Sequence, residues 1–283
     1  MSEQREKIRE IIKETKSLPT IPGIVGKLNA LSNDQKTSIK EMANIVSADQ
    51  VLSAKMLRLA NSPSYGFARI STVSNAMILL GIDVVKSLVL SSSIFEIMEN
   101  NVMGLWEHSL GAGVAANIIV RRLNLKECEE ISTAALLHDI GKVILKLKFE
   151  DEYAALGKLV TARQMWFRDA EMELLGTDHA EVGGWLATSW FLPDKLVEPI
   201  ACHHDVSKSG THQIRTAVVH VADIMIKAAA FGFSGDPFVP RLQPAAVRVL
   251  GLNETILSDI AEELGDRLID IKNFSLEMQE TDG

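Results

Sequence analysis

Apolar positions recur along the chain with the 3.6-residue period of helices, and no segment alternates convincingly with a period of two. The opening segment places Ile8, Ile11, Ile12 and Leu18 on one stripe and predicts an amphipathic helix ending before Pro19. After Leu18-Pro19-Thr20-Ile21-Pro22-Gly23 the pattern predicts helices near residues 22–32, 38–47 and 50–61, the last closed by Asn61-Ser62-Pro63. A helix near 73–80, which Gly81 can cap in the left-handed region, and another near 82–98 complete an N-terminal helical layer. Long helices are predicted near 102–123 and 127–147, then shorter ones near 151–165, 178–190, 194–204 and 212–229. Segments 205–211 and 231–241, rich in turn residues, are expected to be flexible loops; a final helix covers 253–272, followed by a frayed tail. The fold class is therefore all-α.

Composition adjusts this picture only slightly. With 47% hydrophobic and 23% charged residues in 283, the chain can build a sizeable core, as one large domain or two modest ones. The net charge is −8, but nine acids against Arg267 and Lys272 concentrate it in residues 253–283 and leave the rest nearly neutral. That distribution argues against nucleic-acid binding, which needs a basic face, and reads the last helix as a solvated acidic face. A charged N-terminus and the lack of any run of eighteen uncharged apolar residues predict a cytoplasmic protein with no membrane association. Cys128 and Cys202 belong to no CxxC pair and are expected as reduced thiols.

The chemistry lies in the placement of the histidines. His138-Asp139 interrupts the apolar run from Ala134 to Ile140, where charge is costly unless paired or metal-bound. If one helix continues through Gly141, Lys142 shares a face with His138 and Asp139 and brings an ammonium to the same cleft. Asp178 and Glu181 around His179 resemble a helix N-cap and capping box. His108 is flanked on its helical face by Gly104, Gly111, Ala112 and Ala115, small residues that admit another helix closely. His203 and His204 end a helix, and adjacent helical residues point about 100° apart. Such a pair suits two neighbouring metals, or one ligand and one outer donor, better than a single ion. Asp223 is a carboxylate within the apolar run Val218 to Ile224. His212 and His220 read as core histidines, and Met42, Met56 and Met77 as core filler. Leu80-Gly81-Ile82 reads as a packing turn rather than a DNA-contacting hairpin, and Pro63, Tyr65 and Phe67 as loop residues covering the core.

The order His108, His138-Asp139, His179, His203, His204, Asp223 resembles the HD-domain superfamily of metal-dependent phosphohydrolases. The His138 to Lys142 run, HDIGK, is similar to that of its HD-GYP phosphodiesterases. The resemblance implies a centre in which Asp139 bridges two metals, with His108, His138 and Asp223 on one and His179, His203 and His204 on the other. Lys142 would then contact a substrate phosphate, making Asp139 and Lys142 the catalytic candidates. Leu18 to Pro22, the run Leu52 to Ser62, Ala76 and Leu80-Gly81 are in turn similar to the HDOD family, the HD-related output domain, across roughly residues 15–230. This implies an N-terminal helical subdomain over residues 1–100, an HD-like core over 101–230, and a loop with an acidic helix over 231–283.

Two departures shape the functional expectation. HDOD domains commonly have eroded metal sites, whereas every candidate ligand is retained here. The GYP segment is missing after His203-His204, which argues against cyclic di-GMP as substrate, and Gly104 stands where three-metal relatives carry a Glu ligand. The expectation is a bacterial signal-transduction output protein with a one- or two-metal centre of Fe, Mn, Ni, Co or Zn. It would act on a signalling protein partner or a nucleotide or phosphate ligand. The alternative is a metal-dependent phosphohydrolase of nucleotides or phosphodiesters.

Overall fold

The computed structural model describes residues 3–14, 60, 70, 72–80, 104–126, 128–189, 192–236 and 238–281. The chain divides into two compact units, residues 17–96 and residues 1–16 together with 97–283. All regular structure among the described residues is helical, as the apolar period requires.

In the smaller unit, helix α2 (Val73–Leu80) buries Ala76, Met77 and Leu80. Thr72 starts it by accepting the Asn75 amide at 3.2 Å, which satisfies one of the first-turn donors that a helix leaves unpaired. Met77 is core filler, as expected. The predicted helices near 22–32, 38–47, 50–61 and 82–98, the Gly81 cap, Met42, Met56 and the Pro63 to Phe67 loop lie outside the described residues.

In the larger unit, α1 (Glu3–Glu14) buries Ile8 and Ile12. It lies against α8 (His179–Ser189), where Arg5 and Arg9 stack over the Trp185 ring at 5.1 and 5.8 Å and Arg5 pairs with Glu181. Helix α3 (Leu105–Arg122) is the central rod. Its small residues Gly111, Ala112, Ala115 and Ala116 let α4 (Cys128–Leu137) and α10 (Gln213–Ala228) approach closely. Buried Val218, Val219, Val221 and Ala222 of α10, Ala246 and Leu250 of α11 (Pro244–Leu250), and Ile260, Leu264 and Leu268 of α12 (Glu254–Thr281) complete this core. The acids of α12 are not only a solvated face, since Glu263 accepts from both Arg121 and Arg122 at 2.9 Å. These pairs are exposed and contribute little.

Several boundaries depart from the periodic reading. The segment predicted as one helix over 127–147 is two, α4 and α5 (Ile140–Lys148), with His138 and Asp139 in the turn between them. Two helices escaped the pattern: α7 (Phe167–Leu175), which follows α6 (Glu150–Arg163), and α11. Helix α9 (Asp194–Cys202) stops before the histidine pair. Helix α12 runs to Thr281 where a frayed tail was expected, because no Gly or Pro follows Gly265 until Gly283 to stop it.

The two expected loops are anchored. Val206–Lys208 form a 3₁₀ turn that buries Val206, and Ser209 is tied to Glu198 and to Thr216. The Phe233 amide donates to the Gly104 carbonyl at 2.8 Å, and Asp236 accepts the Phe167 amide at 2.7 Å. Gly104 takes φ +80°, which a side chain would disfavour, and a Cβ there would stand 2.8 Å from the Phe233 nitrogen. The reason for glycine at 104 is therefore this loop contact, whereas the small residues farther along α3 serve helix packing.

Candidate metal centre

The seven candidate ligands come from five elements and meet at one place. His108 stands on α3, Asp223 on α10 and His179 at the start of α8, while His138-Asp139 and His203-His204 occupy the turns after α4 and α9. The helix break matters here. Asp139 sits at φ −96°, ψ 11°, the sparsely populated bridge conformation frequent at active sites, and its carbonyl accepts the Lys142 amide to begin α5. His203, just past the end of α9, keeps φ −62° and ψ −21°, and its ring and that of His204 converge, with centroids 4.0 Å apart. The 100° divergence expected of helical neighbours does not keep their rings apart.

Three overlapping ligand groups result. His108, His138 and Asp223 form one, His179, His203 and His204 a second, and His138, Asp139 and His203 a third that joins them, each with its ligand atoms within 4.8 Å of one another. Asp139 lies between the first two. Its Oδ2 is 3.4 Å from His138 Nε2 and 3.7 Å from His108 Nε2, while its Oδ1 is 3.1 Å from His179 Nε2 and 3.8 Å from His203 Nε2. In the first group His108 Nε2 stands 3.0 Å from Asp223 Oδ1, and in the second His204 Nε2 stands 2.7 Å from His179 Nε2. Lys142 is fully buried, with Nζ 2.8 Å from Asp139 Oδ2, so it reaches the cluster from the first turn of α5 although the helix expected to carry it there is broken at His138-Asp139.

Hydrogen bonds fix which ring nitrogen faces inward. His138 Nδ1 donates to the Ala135 carbonyl at 2.6 Å, and His203 Nδ1 to the Ile200 carbonyl at 2.8 Å. His179 Nδ1 donates to Glu171 Oε2 at 2.6 Å. A carbonyl or carboxylate can only accept, so each Nδ1 holds the proton and presents Nε2 to the centre, as metal-bound histidines are commonly oriented. Asp178 accepts the Glu181 amide at 2.9 Å, the expected N-cap, but the Glu181 side chain turns to Thr177 and Arg5 instead of closing a capping box. His220 is the core histidine expected of it: Nδ1 donates to the His203 carbonyl and Nε2 accepts the Gln243 amide, which fixes the histidine turn. His212 lies outside the cluster, at the cap of α10, with its amide on Glu198.

Three supporting residues escaped the sequence reading. Glu171 is fully buried and accepts both the ring and the amide of His179. It falls on the buried stripe of Phe167, Ala170 and Leu175, a carboxylate on an apolar face that periodicity could have flagged had α7 been recognised. Lys227, four residues after Asp223, places Nζ 3.0 Å from Asp223 Oδ2 and 3.4 Å from Asp236 Oδ2. The Asp223 to Lys227 spacing is a readable helical ion pair. Asp236, from the segment expected to be flexible, carries no comparable signal.

Within the cluster the buried acids and their cationic neighbours hold one another charged. Burial alone would raise the Asp139 and Asp223 pKa values, yet His138 and Lys142 around the first and Lys227 around the second hold both well below the usual carboxylate range. Burial opposes a charge on His138, but the Asp139 and Asp223 carboxylates prevail and bring it up to about 9. For His203 and His204 burial dominates, neighbouring imidazoles add to it, and both are held well below the ordinary value as neutral imidazoles.

The residues fit a metal. Asp139 Oδ1 and His203 Nε2 are buried and neither makes a hydrogen bond, although they face each other. Such atoms are costly unless something pairs them, and a divalent cation supplies the partner both lack. Imidazole and carboxylate donors suit Fe, Mn, Ni, Co or Zn. Glu171→Gln is expected to weaken metal binding at the His179 group by roughly 10- to 100-fold, through loss of ring orientation and basicity. A titration followed by elemental analysis checks this, and an unchanged affinity would remove Glu171 from the centre.

Known proteins agree with the fold. The HDOD domain family model matches residues 18–206. A solved HDOD domain protein of unknown function from Geobacter sulfurreducens is 30% identical, with 96% of this chain and 97% of that one covered and a TM-score of 0.76. A candidate phosphohydrolase from Shewanella amazonensis SB2B shares the fold at 22% identity, covering 94% of each chain with a TM-score of 0.69. An uncharacterized protein of Treponema pallidum is 21% identical over 194 residues, 67% of this chain, and the chain spans 38% of that relative's length. By the match over most of its length and the likeness to the Geobacter structure, the chain belongs to the HDOD domain family.

Proposed function

We propose that this HDOD protein holds a metal-dependent phosphohydrolase centre acting on a phosphoester. The observation that carries the reading is the position of Asp139, one oxygen toward each histidine group. Bound divalent cations would supply Lewis acidity, lowering the pKa of water and stabilising the attacking and leaving oxygens of an in-line displacement. His108, His138 and Asp223 would hold one ion, and His179, His203 and His204 the other, with Asp139 shared. Lys142 rests on Asp139 and would orient and neutralise a phosphate there. Glu171 and Lys227 hold His179 and Asp223 in place.

The test is hydrolysis of phosphomonoesters, phosphodiesters and nucleotides by chain stripped of metal and reloaded with Mn(II), Fe(II), Co(II), Ni(II) or Zn(II). Turnover that Asp139→Ala abolishes is expected. No hydrolysis of any phosphoester, with Asp139→Ala indistinguishable from the parent, would contradict it. A second reading is a signalling output whose centre binds metal or phosphate without turnover and acts through a protein partner. Its support is enclosure: His108, His138, Asp139, His179, His203 and Asp223 are all buried, and His204 alone of the ligands is partly exposed. Neither reading involves nucleic acid or a membrane, and no described helix is long and apolar enough to cross one.

A further inference from the structure

The centre carries its own counter-cations. Four carboxylates surround it: Asp139 and Asp223 within it, Glu171 beneath His179, and Asp236 on Lys227. Their side chains are 0–5% exposed. Two buried ammoniums answer them, Lys142 at 2.8 Å from Asp139 Oδ2 and Lys227 at 3.0 Å from Asp223 Oδ2. Asp178, next to His179 in the chain, pairs with Arg168 at 2.7 Å, and the two charges cancel. Counted with His138 and the other histidines neutral, as ligation of a metal makes them, four negative charges against two positive ones leave a deficit of two, which one divalent ion neutralises.

We propose that Lys142 and Lys227 limit the resting centre to one tightly held divalent ion, and that the second enters together with a phosphate or phosphoester anion. This rests on the reading of the cluster as a metal site. A second ion alone would leave two uncompensated positive charges in a buried region, where charge without a partner is strongly disfavoured. A phosphate dianion restores the balance, so metal and substrate promote each other's binding, and linkage makes the effect reciprocal. The ligand donors for both ions are present; what the second ion lacks is negative charge. The chemical class of the co-ligand follows from that deficit, an anion of about two charges that metal ions can coordinate.

The experiment is equilibrium dialysis of the metal-free full chain against Mn(II), with and without inorganic phosphate, bound metal being measured by elemental analysis. The expected result is one tight ion per chain without phosphate, and a second whose affinity phosphate raises by at least about tenfold, since a unit charge ~6 Å away in a protein interior corresponds to an effect of that size or larger. Lys227→Gln keeps a hydrogen-bond donor for Asp223 and removes the charge. It should tighten the second ion in the absence of phosphate and shrink the phosphate effect, whereas a purely structural Lys227 would weaken both ions on substitution. If Lys227→Gln does not fold, Lys142→Gln tests the same direction beside Asp139. Two ions of similar affinity with or without phosphate would overturn the inference, as would weaker binding of both ions in the lysine variants. No bound Mn(II) under any condition would instead refute the metal reading itself.

Discussion

Asp139→Ala is expected to abolish binding of metal at both histidine groups, not at one. Asp139 is the residue whose two oxygens face different groups, and its Oδ1 is a buried acceptor without a hydrogen bond. Loss of His108 or His204 should by contrast weaken one group first. The substitution has a second consequence, because it leaves the fully buried Lys142 ammonium without its partner. Breaking a buried pair from one side costs roughly 3–5 kcal/mol, so Asp139→Ala alone confounds folding with metal loss. The double variant Asp139→Ala with Lys142→Met removes both charges and should recover much of that stability while remaining metal-free. Calorimetric titration with Mn(II), alongside thermal melts, separates the two effects. Metal retained at either group in the folded double variant would deny Asp139 the bridging place.

Gly141→Ala is expected to destabilise the larger unit by more than about 4 kcal/mol, at the exceptional end of single substitutions. A Cβ at 141 would stand 1.9 Å from the His179 carbonyl oxygen and 2.9 Å from the Gly183 nitrogen. Both obstacles are backbone, so neither can rotate aside; α5 and α8 would have to separate, and with them Asp139 and His179. The glycine therefore sets the distance between the bridging carboxylate and the second histidine group. Gly157→Ala is the control. It lies inside α6 with open space around its Cβ position, and an alanine there should stabilise by roughly 0.5–1 kcal/mol. Denaturant unfolding of the two variants should give shifts of opposite sign. A Gly141→Ala protein as stable as the parent would show that the helices are not in this close contact.

The ligand residues were legible because each is a polar group set into an apolar helical run, and their order along the chain resembles a known pattern. How they meet was less so. A continuous helix through His138-Asp139 is what the apolar pattern from Ala134 to Lys142 predicts, with Gly141 its weakest helix former. The break follows from tertiary contact: α5 must turn to lay Gly141 against α8. The convergence of His203 and His204 was hidden for a similar reason, because the end of α9 at Cys202 carries neither Gly nor Asn. Glu171 went unseen since its neighbours in Glu171-Met172-Glu173 read as a solvated surface, and burial is decided by what α7 packs on. Asp236 is drawn to Lys227 and the Phe167 amide by long-range packing, which no local period encodes.

Asp139, with one oxygen toward each histidine group, predicts two metal positions. Anomalous diffraction from crystals of the full chain soaked in Mn(II) and phosphate, collected at the manganese edge, tests this most directly. Two anomalous peaks flanking the Asp139 carboxylate, one beside His108, His138 and Asp223 and one beside His179, His203 and His204, are the predicted result. A cluster with no anomalous peak at either group would contradict the account and leave the histidines and aspartates as a buried polar network.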